Sequence, residues 1–312
     1  MAKTAFLFPG QGSQYIGMGK EFYEQIPVCR EVYELASEVT GLDIPALCFE
    51  ENDKLNITEY TQICMLATET AIYMALEQNG YEPDVTAGLS LGEYGALIAS
   101  GVMTAEEAFE VVRKRGLFMQ EAVPTGGAMS AVLGLDGDKI EKICQEVFSQ
   151  SGKEVSVANY NCPGQIVISG HKEAVEAAGA ACKEAGAKRV VPLKVSGPFH
   201  SALLKGAGDR LGEELKNVEI SDTFVPYIAN VTADYVTHKE EVKPLLQQQV
   251  SSSVKWQQTL ERMISDGVEE FVEIGPGKTL SGFLKKIDRQ VKVSNIDKME
   301  DFIRFVSEHA GM

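Results

Sequence analysis

The sequence predicts an α/β protein, a larger α/β lobe interrupted by a smaller inserted unit. Three observations predict it. The chain opens as a strand, a glycine-rich loop and a helix; a second apolar stretch turns at Gly88-Leu89-Ser90-Leu91-Gly92 into helix-forming residues; and residues 127–195 read β-α-β-β-α-β, the split βαβ order of a ferredoxin-like unit. The sharp strand-to-helix turn at Ser90 makes the larger lobe α/β-hydrolase-like. The expected division is 1–126 with 196–312 for the large subdomain and 127–195 for the inserted one, which suits a chain of 312 residues, longer than the usual single domain.

Taken in order, "KTAFLF" reads as the first strand and "PGQGSQYIGMGK" as a glycine-rich turn, with helical periodicity from about Phe22. Apolar residues at three-and-four spacing predict a helix from Thr61 to Asn79, leading to the strand before Ser90. A helix from Ala105 to about Gln120 follows, with Thr104 as N-cap before an acidic first turn. After "VPTGG" come a strand at 128–134, a helix at 137–149, strands at 155–160 and 165–169, a helix at 172–185 and a strand at 188–193. Past "VSGPFHS" the α/β alternation returns, with helices near 201–216 and 254–265, a strand at "VEEFVEI" and a glycine turn at "GPGK".

No apolar run approaches the length of a membrane span, and the apolar stretch at the start is too short for a secretory signal, so a soluble, cytoplasmic protein is expected. The six cysteines are scattered without a C-x-x-C pair, which argues against zinc and against a disulfide framework; they read as small core residues. A formal charge of −16 disfavours nucleic acid and anionic membranes, so any anionic partner must meet a local basic patch.

Ser90 is a candidate nucleophile, since G-x-S-x-G between an apolar strand and a helix exposes the hydroxyl at the helix start; a glycine-flanked turn with a capping serine is the competing reading. An ordinary serine needs a base. His171 opens a helix of the inserted unit, His238 sits in a polar stretch and His309 lies near the end, which leaves His200 in "VSGPFHS" by elimination; the alternative there is a helix-terminal histidine bonded to backbone. An oxyanion hole needs two N–H donors, for which Leu91 and Gln11 are the candidates, glycines on both sides of Gln11 allowing close approach. A phosphate-binding turn is the other reading of that loop, but it has neither G-x-G-x-x-G nor a Walker lysine.

"FPGQGSQ", "GLSLGEY", "RGLFMQ", "NYNCPGQIVISG", "GPFHS", "QQVSSSVKW" and "EIGPGKTLSG" resemble, in order and over nearly the whole chain, the malonyl-CoA:acyl carrier protein transacylases, acyltransferases of fatty acid and polyketide synthesis. The resemblance implies a ping-pong transfer in which Ser90 takes malonyl from coenzyme A as an ester and yields it to the phosphopantetheine thiol of acyl carrier protein, with His200 as base and then acid. It implies no cofactor and no metal, malonyl-CoA entering as substrate, and a monomer. It places the substrate-binding arginine on Arg115, whose planar fork suits a carboxylate; Arg113, two positions before it, faces elsewhere. Gln249 takes the position whose main-chain carbonyl orients the histidine.

The same resemblance puts Asn161 and Gln165 on the pocket wall, although an Asn in a turn equally reads as a backbone cap. Phe199 matches the malonyl-selective form. Two departures stand out: Leu89 replaces the histidine many relatives carry before the serine, and "SSS" at 251–253 lacks their proline. Lys285 and Lys286, with Arg289 and Lys292, fall where relatives dock the carrier; Lys188, Arg189 and Lys194 form a second basic cluster, and a solvated helix face is the alternative for both. Other readings of the chain are a thioesterase or esterase of related fold, a catalytically idle carrier-binding scaffold, and an acyltransferase of a polyketide or polyunsaturated-lipid pathway.

Overall fold

The computed structural model describes residues 3–310, in which strands β1 (Lys3–Phe8), β2 (Val85–Gly88), β3 (Gly127–Leu133), β4 (Val155–Cys162), β5 (Gln165–His171), β6 (Arg189–Pro192), β7 (Tyr227–Ile228), β8 (Tyr235–Val236), β9 (Val268–Ile274) and β10 (Lys292–Ile296) form two sheets. The larger has the order β10-β9-β1-β2-β7-β8, parallel except for β8 at its edge. Its central strands are buried, as parallel strands covered on both faces must be, hence the apolar runs of β1 and β2. Phe8 is level with Gly88, and Leu89 N–H extends the ladder to Phe8 O at 3.0 Å. The loops that leave β1 and β2 therefore start side by side, bringing Gln11 next to Ser90.

The second sheet has the antiparallel order β4-β5-β3-β6, the arrangement of a ferredoxin-like unit. Helices Gly137–Ser151 and Lys172–Glu184 bury Ile140, Cys144, Val175 and Cys182 against Val132, Val157, Ile166 and Ile168. Alternation then turns Met129, Ala131, Gln165 and Val167 to the opposite face, toward the large sheet, and a bulge after Val157 brings Asn159 and Asn161 to the same side. A Cβ at Gly127, where the chain enters this unit, would lie 2.4 Å from Pro198 Cδ, so entry and return are packed together.

The helix Thr58–Gln78 starts three residues before the expected Thr61 and is buried on almost every side, as its lack of a polar face requires. Thr104 caps Ala105–Ala122 through a capping box with Glu107. The expected helix at 201–216 is a 3-10 turn at Ala202–Leu204 followed by Lys205–Leu215, and that at 254–265 begins at Trp256. Helices Pro27–Thr40, Lys239–Gln249 and Met299–His309 and strand β10 are additions to the expected order. All six cysteines are free and buried. No helix among the described residues is long and apolar enough to cross a membrane.

Candidate active site

Ser90 occupies the turn between β2 and the helix Gly92–Ala99 with φ of 55°, a left-handed conformation rare for a residue with a side chain. The two glycines make the turn possible. A Cβ on Gly88 would sit 1.8 Å from Gly92 O, and one on Gly92 would sit 2.1 Å from Phe8 O. The backbones of β1, β2 and the helix thus touch where G-x-S-x-G places no side chains, and the Ser90 hydroxyl is pushed out at the carboxyl ends of parallel strands, where α/β proteins hold ligands.

His200 also has a left-handed φ, 57°, in the segment returning from the inserted unit. Its Nε2 lies 2.8 Å from Ser90 Oγ and its Nδ1 lies 2.8 Å from Gln249 O. A carbonyl can only accept, so the neutral ring carries its proton on Nδ1, and Nε2 is left to accept from the serine hydroxyl. Burial, reinforced by the nearby Arg115 charge, lowers the imidazole to about 4, against the smaller opposing effect of its hydrogen bond with Gln249. The ring is neutral at pH 7, as a base must be.

Arg115 is wholly buried. One Nη donates to Gln62 Oε1 at 2.6 Å, while the other donates to Ser90 Oγ at 3.2 Å and Gln249 Oε1 at 2.9 Å. Arg113 turns away and pairs with Glu59 at 2.9 Å. Asn230 accepts from Ser90 N–H at 2.7 Å and donates to Gly88 O at 2.7 Å, a side-chain clasp across the elbow. Glu93 Oε2 accepts from Gln249 Nε2 at 2.7 Å and Asn230 N–H at 3.2 Å.

These residues line or back a cleft of about 390 Å³ between the two sheets. Gly10, Gln11, Ser90 and Leu91 come from the large lobe, joined by Thr279 and Phe283 from beyond β9; Asn161, Gln165, Phe199 and His200 close the other side. Among the described residues neither Gln11 N–H nor Leu91 N–H donates to a protein acceptor. A Cβ on Gly10 would lie 2.7 Å from Leu89 O, so the loop carrying Gln11 approaches the elbow as closely as its glycine permits. Leu89 is on the cleft wall.

Lys285 and Lys286 are exposed in the last turn of the helix Thr279–Ile287, and Lys286 Nζ donates to Gln165 Oε1 at 3.2 Å. Lys292, grouped with them in sequence, is drawn to Glu270 at 2.8 Å; Lys194 is at the cleft. Sequence reasoning brought Ser90, His200, Arg115 and Gln249 to one place and missed Gln62, Asn230 and Glu93. The G-E pair inside "GLSLGEY" was the available signal for Glu93; lone polar residues in apolar surroundings gave none for the other two.

A half-buried serine hydrogen-bonded to a buried imidazole on an α/β elbow, facing a cleft beside an arginine, is the equipment of proteins that form acyl-serine esters, transferases and hydrolases alike. The chain belongs to the acyl transferase domain family, whose model matches residues 5–300. Within that family it is similar to malonyl CoA-acyl carrier protein transacylases: the Bacillus subtilis protein of that name is 46% identical over 99% of this chain and 98% of its own length. A solved structure of the Streptococcus pneumoniae enzyme has a TM-score of 0.94 at 46% identity, covering 98% of this chain and 100% of the other. A malonyl-transacylase solved in complex with its type II polyketide acyl-carrier protein has a TM-score of 0.95 at 40% identity, covering 99% of this chain and 100% of that one.

Proposed function

We propose that the protein moves a malonyl group from malonyl-CoA to the phosphopantetheine thiol of acyl carrier protein through a malonyl ester on Ser90. His200 Nε2 takes the serine proton as Oγ attacks the thioester carbonyl, and the developing oxyanion is held by the N–H groups of Gln11 and Leu91. Collapse of the intermediate expels the coenzyme A thiol, to which the imidazolium returns the proton. The carrier's thiol then repeats the two steps in reverse. A thiol with a pKa near ~8.5 is an easy leaving group, so a backbone carbonyl behind the histidine suffices and no carboxylate is needed.

Arg115 holds the free malonyl carboxylate, which replaces Gln62 on one Nη and engages the second beside it, two parallel bonds to one planar fork. Phe199 fills the space an α-methyl group would need, a selectivity worth ~1–3 kcal/mol. Asn161 and Gln165 contact the acyl or pantetheine chain from the ferredoxin-like unit, residues 127–195, and Lys285 and Lys286 meet the acidic carrier. The reading needs no cofactor, and it places the monomeric enzyme in the cytoplasm as a supplier of malonyl carrier protein for fatty acid synthesis.

The observation that carries the proposal is the single oxygen, Ser90 Oγ, within 2.8 Å of a neutral imidazole and 3.2 Å of a guanidinium. Incubation with labelled malonyl-CoA, with and without carrier protein, tests it. A stable label on Ser90 that moves to added carrier is expected. Release of free malonate would make the protein a thioesterase, and absence of label would leave a carrier-binding scaffold.

A further inference from the structure

Glu93 takes no part in the chemistry above, yet its carboxyl is 1% exposed and one of its oxygens, Oε1, has no protein partner. The other fixes Gln249. That glutamine donates from Nε2 to Glu93 at 2.7 Å and to Ser90 O at 2.9 Å, accepts from Arg115 on Oε1 at 2.9 Å, and orients His200 with its main-chain carbonyl. Turned over, the amide would set oxygen against the Glu93 carboxyl and N–H against the guanidinium. The carboxyl therefore selects the orientation that presents an acceptor to Arg115.

An acid and a guanidinium thus stand at opposite ends of one carboxamide, away from solvent. The remaining groups facing Glu93 are the phenols of Tyr94, on its own helix, and Tyr227, on β7, both raised by burial above their ordinary range and uncharged near neutral pH; the backbone N–H of Asn230 completes the surroundings. Arg115 is the one cation that acts on it. An acyl carboxylate docked on Arg115 brings a second negative charge to a guanidinium that ionised Glu93 already shares.

We propose that Glu93 is a positioning residue that sets the preference for an anionic acyl group, holding Gln249 toward Arg115 and taking up a solvent proton when the acyl carboxylate docks. It rests on the malonyl reading of Arg115. Burial pushes the Glu93 carboxyl up to about 7, against the Asn230 and Gln249 hydrogen bonds and the Arg115 charge, which pull it down. Below that pH it is neutral and leaves Arg115 to the substrate; above it, the ionised form competes with the malonyl carboxylate, and docking requires a proton that is progressively scarcer. His200 stays neutral throughout this window. The coenzyme A phosphates are common to malonyl and acetyl thioesters and cancel in their ratio.

The test is the ratio of Ser90 labelling rates from malonyl-CoA and acetyl-CoA, followed from about pH 6 to about pH 9 in the wild type and in Glu93→Gln. In the variant the amide oxygen keeps both hydrogen bonds while the charge is lost. The wild-type ratio is expected to fall by roughly tenfold across the range and the variant's to stay level within about twofold. A level wild-type ratio, or an equal fall in a folded variant, overturns the proposal. Should the variant not fold, proton uptake by the wild type near pH 8 decides: greater uptake with malonyl-CoA than with acetyl-CoA supports it, equal uptake overturns it. Wild-type protein that malonyl-CoA does not label at all overturns the transacylase reading itself, and this inference with it, before any ratio can be formed.

Discussion

A histidine held neutral by burial has a direct signature in pH. Because the His200 imidazole is lowered to about 4, the acid limb of Ser90 loading is expected near pH 4 rather than at the ordinary histidine value near ~6.5. Rapid-quench labelling across the acid range checks this, and a midpoint above pH 6 would mean that the ring is solvated when it works. Replacement of His200 by Ala should slow loading by roughly 10²- to 10⁴-fold, the usual worth of a positioned base. Arg115→Ala should slow malonyl loading roughly 10²-fold more than acetyl loading, since both lose the contacts to Ser90 and Gln249 but only one substrate offers a carboxylate to a charged hydrogen-bond donor. Equal losses, measured on the two thioesters side by side, would make Arg115 a structural residue. Ser90 and His200 were legible because motif and elimination act on few candidates. Asn230 and Gln62 were not, because an amide's role is set by partners 140 and 53 positions away, which no local pattern records.

At the scale of elements, the elbow is a contact between backbones. Gly92→Ala places a methyl 2.1 Å from Phe8 O and 2.6 Å from Pro9 O, atoms that cannot yield without moving β1. The expected outcome is a protein without a cooperative thermal transition, whereas Gly206→Ala, on an open helix face, should melt within a few degrees of the wild type. Asn230→Ala removes the clasp and leaves Ser90 N–H without an acceptor, a loss of about 1–3 kcal/mol that denaturant unfolding would measure. Strong period or strong punctuation made elements legible: the strands beside glycine turns, the helix under Thr104, the alternation of the inserted unit. What escaped had neither. Lys239–Gln249 is a polar helix with Pro244 inside it, and β7 and β8 are two residues each, too short for a local pattern and defined by their pairing at the edge of the large sheet.

For the whole molecule, a formal charge of −16 repels an anionic partner at long range, so the carrier proposed above needs a local basic patch on which to dock. Reversing Lys285 to Glu is expected to slow carrier-dependent transfer severalfold at low salt and to leave loading from malonyl-CoA within about twofold, because Lys285 is exposed at the end of its helix, whereas Lys286 donates to Gln165 on the cleft wall and its reversal would disturb both half-reactions. Stopped-flow transfer at two ionic strengths would show it, and equal loss in both half-reactions would remove the docking role. The ferredoxin-like unit was legible as a whole, since its β-α-β-β-α-β order survives any shift of element ends. Its seating on the large lobe was not, because that depends on contacts from far along the chain, among them a short stretch of backbone at residues 254–255. Val254 donates to Ala158 O at 2.8 Å and accepts from Tyr160 N–H at 3.0 Å, and the next residue, Lys255, donates to Asn230 O at 2.9 Å. A covalent and hydrogen-bonded thread therefore runs from the floor of the inserted sheet, past Gln249, to the amide that clasps Ser90. The two consecutive residues that seat the smaller lobe and anchor Asn230 are therefore one piece of main chain, so a substitution that displaces it is felt at the lobe seam and at the elbow alike.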